Sequence, residues 1–463
     1  MLEQKLLSGK RIDAYRAALA LAIPLIGSNI AHSVKHLTDT IMLGRYSVDA
    51  LAAGVLGATI FVFLMITGSG FSVAVISLAS NAEGSHKSWM VRRYIRMGCW
   101  ITILYCLVML IPMWLSQSIF LLMGQDPAIS ELAADYLLYA MWGLFPALIL
   151  MVFKAFFLAL VRPKIIFVST LLGALFNIFA NYLLIFGNFG FPELGVRGAA
   201  IASTVSHSLA LLIMLAFLIR VKDFLPYKLL SNFLSFHSSS FREIFNLGWP
   251  ICAAMIAEAS FFSGAAIMMG WINTASLAAH GIVIEICAMV FMIYYGLSYA
   301  GTTQISSALG RNDPVEIKTI ANAILELNLM AACVVITIFL LFPETLISVF
   351  LKEDTPETRD VLGIGMKILL FAAFFQLFDA FQAVLLGFLR GLKDTLIPMI
   401  IAAISYWVVG IPTSYFLAFN VGLEGEGVYG GFIIGLGFAS ILFYFRFRRK
   451  LSKLGSGDGS FLV

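Results

Sequence analysis

The sequence predicts an all-α membrane protein of about 12 transmembrane helices, built as two homologous six-helix bundles. Three observations carry that expectation. The 463 residues are 60% hydrophobic and only 12% charged, with a mean hydropathy of +0.95, which leaves too little polar surface for a water-soluble globule of that size. Apolar stretches long enough to cross a core of about 30 Å as helices recur about twelve times, whereas a barrel would show short alternating segments. Finally, the second half repeats the first. With Pro24 placed on Pro250, Ile30 and Ala31 fall on Ile256 and Ala257, Ile41, Met42 and Gly44 on Ile267, Met268 and Gly270, and Leu51-Ala52-Ala53 on Leu277-Ala278-Ala279. Gly70 over Gly296, Ser80 over Ser306 and Gly84 over Gly310 keep the register without a gap.

Each span is bounded by charge. The first, roughly 17 to 43, runs outward from Lys5, Lys10, Arg11 and Arg16. The second, roughly 51 to 80, returns to Lys87, Arg92, Arg93 and Arg96, from which the third, roughly 95 to 122, leaves again. The fourth, roughly 133 to 160, comes back to Lys154, Arg162 and Lys164; the fifth and sixth, roughly 165 to 187 and 196 to 222, lead to Arg220, Lys222, Lys228 and Arg242. The seventh and eighth, roughly 242 to 271 and 277 to 308, end near Arg311 and Lys318. The ninth and tenth, roughly 319 to 350 and 360 to 388, end at Arg390 and Lys393. The last two, roughly 396 to 420 and 427 to 449, close on Arg446, Arg448, Arg449, Lys450 and Lys453. Thus 24 of the 30 basic residues collect on one side, against Arg45, Arg197, Lys352, Arg359 and Lys367 on the other and Lys35 inside a span. The sparse side carries acids instead, among them Asp126, Glu131, Glu353 and Asp354. By the positive-inside rule both ends are cytoplasmic and the number of crossings is even.

Orientation accounts for the net charge of +4, so nucleic acid is not indicated as a partner. The first apolar run has no small-residue cleavage site and continues into Lys35 and Asp39, unlike a removable signal peptide. Cys99, Cys106, Cys252, Cys287 and Cys333 lie singly in apolar spans, as buried inert thiols and not as a disulfide or CxxC framework. The basic, amphipathic segment 221 to 240, with its Ser-rich end, reads as a cytoplasmic linker against the headgroups. It divides residues 1–230, one bundle with its cytoplasmic N-terminus, from residues 231–463, the other with its basic tail.

An ionisable side chain at the centre of a spanning helix costs about 2.5 to 3.5 kcal/mol on insertion scales and therefore needs a partner or a wet cavity. In the first span Ser28, Asn29, His32, Lys35, His36 and Asp39 recur at three- and four-residue intervals, one polar stripe on an apolar helix. Asp39 reads either as a cation or proton site or as a structural ion pair with Lys35 on the same face. His32 and His36 have the spacing of zinc ligands, but Lys35 repels a divalent ion, which favours solvated cavity histidines. The repeats differ in acidity: Asp39 aligns with Ala265, and Glu258 with His32. Glu258 lies midway along the seventh span and Asp379 deep in the tenth, flanked by Gln376 and Gln382, and neither has a basic neighbour three or four residues away. His280, Glu285 and Lys367 are candidate partners on other spans or turns. No GxSxG, P-loop or HExxH pattern occurs, which argues against an enzyme and against ATP hydrolysis.

Several stretches taken together resemble the multidrug and toxic compound extrusion (MATE) family, in the manner of its bacterial norfloxacin-exporter branch. They are Asp39-Thr40-Ile41-Met42-Leu43-Gly44, the run from Leu171 to Phe186 with Asn177 and Asn181, Pro192-Glu193-Leu194-Gly195, and Gly198-Ala199-Ala200-Ile201-Ala202. Asp379-Ala380-Phe381-Gln382, Leu389-Arg390-Gly391 and Ser405-Tyr406-Trp407 complete the pattern over nearly the whole chain. The resemblance implies a V-shaped pair of bundles in the bacterial inner membrane, acting as a monomer without a cofactor. It implies exchange of Na+ or H+ for organic cation drugs, with membrane lipid as the surroundings. It also implies an N-bundle cation site at Asp39, Asn177, Asn181 and Ser203 and a C-bundle cation or substrate site at Glu258 and Asp379. Lys35 and His36 depart from the family's uncharged residues and put N-bundle sodium coupling in doubt. The alternative is a lipid-linked precursor flippase of the same broad architecture, whose central cavity is ordinarily more cationic.

Overall fold

The computed structural model describes residues 2–229, 231–351 and 355–455; Lys352, Glu353 and Asp354, counted above with the outer charges, lie outside them. All regular structure among the described residues is helical, and twelve helical stretches are long and apolar enough to cross a membrane. In the first half these are α1 (Leu2–Tyr46), α2 (Val48–Gly84), α3 (Ser88–Trp114), then after the short α4 (Ser116–Leu122), α5 (Pro127–Ala159), α6 (Pro163–Phe186) and α7 (Val196–Arg220). In the second they are α8 (Ser238–Ile272), α9 (Thr274–Gly310), α10 (Pro314–Leu341), then after the short α11 (Pro343–Ser348), α12 (Pro356–Gly391), the stretch Leu396–Asn420, and α15 (Glu424–Gly455). Large apolar side chains such as Ile111, Trp114, Leu122, Val408 and Phe445 are exposed, as expected where the solvent is lipid and not water. The chain is a multi-pass membrane protein.

The internal repeat reaches into capping. Ser47 and Asn273 occupy equivalent positions, both in extended backbone, and each accepts a hydrogen bond from a backbone N–H three residues on: Ala50 N at 3.0 Å and Ser276 N at 2.7 Å. The third and ninth expected spans are each broken near their C-terminal ends, where α4 and α11 begin. Pro343 opens α11 because its ring fixes φ and it brings no N–H, which suits the first helical position and not the middle of a helix. Leu396–Asn420 is likewise interrupted: α13 (Leu396–Ala403) and α14 (Ile411–Tyr415) are each followed by π-helical turns, Ile404–Gly410 and Phe416–Asn420. Pro412 donates nothing to the carbonyl four residues before it, and wider turns on both sides accommodate the gap.

Two compact units emerge. One comprises Ile23–Cys252 and the other Met1–Ala22 with Ala253–Val463. The core of the Ile23–Cys252 unit joins α2, α3 and α5 through Phe61, Leu64, Met65, Met113, Leu137, Leu144 and Leu148. The linker packs onto this unit. Phe224 is buried against Phe156 and Phe157, Arg96 donates to the Ser231 carbonyl at 2.6 Å, and Tyr227 donates to Glu83 at 2.8 Å. Burial and that carboxylate hold the Tyr227 hydroxyl above its ordinary pKa.

In the other unit, α9 and α12 pack closely along a shared seam. Ser298, Thr302 and Ser306 donate to the carbonyls of Ala383, Gly387 and Gly391 at 2.6, 2.9 and 2.8 Å, one rung per helical turn on both helices. Glycine makes the approach possible, since a Cβ on Gly387 would stand 2.4 Å from Ser298 Oγ and 2.6 Å from its carbonyl oxygen. Within the same unit, Arg11 and Tyr15 both hydrogen-bond Glu326 of α10.

Of the five cysteines, all free, four are buried and Cys333 is exposed, which corrects the expectation that all five are buried.

Candidate functional site

The polar stripe of α1 from Ser28 onward faces α6 and α7. Ser28 Oγ donates to Thr170 Oγ1 at 3.0 Å, Lys35 Nζ lies 3.3 Å from His207 Nε2, and Asp39 meets Asn181 and Ser203. Period decides this geometry: residues three or four apart share a helix face, so Ser28, Lys35 and Asp39 of the stripe meet Thr170 and Asn181 on α6 and Ser203 and His207 on α7.

Near the C-terminal end of α1 these groups form one chain of donors aimed at a carboxylate. Asn181 Nδ2 donates to Asp39 Oδ1 and, at 3.2 Å, to Asn177 Oδ1. Asn177 Nδ2 donates to Ser203 Oγ at 3.3 Å, and Ser203 Oγ donates to Asp39 Oδ2 at 3.2 Å. Both oxygens of half-buried Asp39 are therefore engaged, and charge-assisted bonds of this kind replace part of the hydration lost in the bundle. Asn181 Oδ1 is buried without a partner. Carboxylate, amide and hydroxyl oxygens in one place are hard donors suited to a proton or an alkali cation. No ion pair joins Lys35 to Asp39 among the described residues: the lysine turns to His207 instead, against the structural-pair reading.

One turn toward the N-terminus of α1, on the same unit, lies a cavity of about 30 Å³ lined by His32, Lys35, Lys154, Thr170, Ser206 and His207 among apolar neighbours. Lys154 is a correction. Counted above with the cytoplasmic cations, it sits inside α5 and faces this cavity. His32 and His36 approach to 4.7 Å between ring centroids, yet no three His, Cys, Asp or Glu side chains converge as metal ligands among the described residues.

In the other unit, Glu258 of α8 is half-buried and Asp379 of α12 is buried. Gln382, one turn along from Asp379, donates from Nε2 to Glu258 Oε1 at 3.1 Å and also bonds Tyr406 Oη. Tyr406, held by the first π turn, stacks on Phe261 with ring centroids 5.4 Å apart and planes 6° apart. Asp379 Oδ1 is buried with no hydrogen-bond partner. Neither acid forms an ion pair among the described residues. None of the three side chains proposed as partners takes that role: His280 pairs with Tyr429 at 3.1 Å, and Glu285 and Lys367 are exposed.

Sequence reasoning did not single out Lys154, Thr170, Ser206 or His207, and met Tyr406 only within a resemblance motif. His207 carried a usable signal, because it follows Ser203 by one helical turn inside an apolar span.

The family model described as MatE matches residues 24–183 and 250–416, one copy in each half. The "Probable multidrug resistance protein NorM" of Rhizobium meliloti (strain 1021) is 39% identical over 446 residues, covering 96% of this chain and 96% of that protein. Its counterpart in Agrobacterium fabrum is 36% identical over 443 residues, 95% of each. Among solved structures, the eukaryotic MATE transporter AtDTX14 superposes with a TM-score of 0.84 at 18% identity, over 96% of this chain and 99% of that one, a likeness of fold.

Proposed function

The chain belongs to the MatE family, and from that premise we propose that it is a secondary active multidrug exporter, exchanging Na+ or H+ for organic cations by alternating access. It works in the bacterial inner membrane with both termini cytoplasmic. The observation that carries this reading is the pair Glu258 and Asp379: two acids in membrane helices, neither in an ion pair among the described residues, one with a buried oxygen that has no partner.

A bare carboxylate in that setting is costly and is neutralised by a proton, by Na+ or by a cationic guest. If the occupants exclude one another, inward movement of the ion is tied to outward movement of the drug. One charge falling through 100 mV supplies about 2.3 kcal/mol, roughly a 50-fold gradient of a neutral substrate. In the Ile23–Cys252 unit Asp39 is the candidate ion site, with Asn177, Asn181 and Ser203 orienting its oxygens.

The test is ethidium efflux in inverted membrane vesicles with Na+ and H+ gradients imposed separately. Efflux is expected to follow one gradient and to fall at least about tenfold in the Asp379→Asn, Glu258→Gln double variant, the factor for one lost interaction of about 1.4 kcal/mol. Wild-type rates in that variant would defeat the reading. The basic cavity of His32, Lys35, Lys154 and His207 favours a second reading, a flippase for an anionic lipid-linked precursor, which should show lipid translocation and no gradient-driven ethidium movement.

A further inference from the structure

The cavity in the Ile23–Cys252 unit brings two ammonium groups and two imidazoles together, and no acid lines it. α1 supplies His32 and Lys35, α5 supplies Lys154, α6 supplies Thr170, and α7 supplies Ser206 and His207. Lys35 is only 3% exposed and sees His207 Nε2 at 3.3 Å, while His207 Nδ1 is buried without a partner. Among the described residues Lys154 has neither a hydrogen bond nor an ion pair. Asp39, the acid next along α1, has both oxygens hydrogen-bonded by Asn181 and Ser203 and forms no ion pair with Lys35 among the described residues. Two buried ammonium groups with no anion between them are an incomplete arrangement, because a charge taken out of water needs an opposite charge or strong hydrogen bonds.

We infer that this cavity is an oxyanion subsite, which takes the carboxylate of an amphoteric substrate between Lys35 and Lys154 with the imidazoles and hydroxyls as further donors. Size agrees with an end group and not a whole drug: about 30 Å³ holds about two waters or one carboxylate. Position agrees as well. Asp39 lies four residues beyond Lys35, about 6 Å along the helix, so a molecule carrying both an amine and a carboxylate meets opposite charges in one unit. The inference deepens the exporter reading and rests on it for the direction of transport, but not for binding.

Two probes separate the charges: norfloxacin, which carries one carboxylate and one basic amine, and its ethyl ester, which keeps the amine and lacks the anion. Binding to the purified full-length protein is followed by the fluorescence of the probe. Wild type is expected to bind the acid at least about tenfold more tightly than the ester. Lys154→Met should bring the ratio close to one, and Lys154→Arg should keep most of it. Equal affinities in wild type, no binding of norfloxacin, or a Lys154→Met ratio like that of wild type would each overturn the inference. So would dihexanoyl phosphatidic acid binding with Lys154 dependence while acid and ester remain indistinguishable, since the guest is then a lipid phosphate. Ethidium efflux from vesicles reads the exporter proposal separately: its absence alongside an intact acid-over-ester preference sinks that proposal and leaves the subsite standing.

Discussion

At the scale of single residues, hydrogen bonds to a charged group carry about 1.5–3 kcal/mol, enough to decide whether a carboxylate is ready for its guest. Gln382 bridges Glu258 and Tyr406, so Gln382→Leu removes a donor from each without removing an acid. The ion concentration for half-maximal efflux is expected to rise about tenfold, and a concentration within twofold of wild type would release Gln382 from any part in ion binding. Asp39→Asn removes the charge on which Asn181 and Ser203 converge; ion-driven ethidium efflux should fall about tenfold at unchanged membrane abundance, and undiminished efflux would exclude Asp39 from coupling. The acids were legible in the sequence because charge is conspicuous in an apolar span. Lys154 was not, since near a span end it is indistinguishable from a loop cation until α5 is seen to carry it inward. Lys35 was legible as an oddity but its partner was not: spacing along α1 pointed to Asp39, whereas His207 comes from another helix.

Helices themselves were the most legible level, because twenty apolar residues leave few alternatives. Their interruptions were hidden. Pro412 is visible in the sequence, but whether a chain answers with a kink or with π turns depends on packing around it, here the stacking of Tyr406 on Phe261. The α9–α12 seam was equally silent, since small residues in membrane helices serve many contacts. It yields a graded prediction. Ser298→Ala deletes one rung and should cost about 0.6 kcal/mol, the average for such bonds in membranes. Gly387→Val forces side-chain atoms into Ser298 and should cost about 1–3 kcal/mol. Both are read from the unfolding midpoint in a denaturing-detergent titration, and a Gly387→Val midpoint no lower than that of Ser298→Ala would refute the close-packing account.

Across the whole molecule, the internal repeat was readable from its matching residues, and the structure extends it to single caps, with Ser47 and Asn273 doing the same work 226 positions apart. The charge asymmetry makes a topological prediction: in intact cells a membrane-impermeant maleimide should label a cysteine placed at Asn188 and not one at Ser452. Labelling of both or neither, or the reverse order, would overturn cytoplasmic termini. The three rungs between α9 and α12 also bear on motion. Helices riveted at successive turns swing as one beam, since sliding past each other would shear every rung at once. Any rearrangement that opens a path through this unit has to be absorbed by less firmly bolted parts, and Leu396–Asn420, already loosened by its wide turns, is the natural place for it to flex.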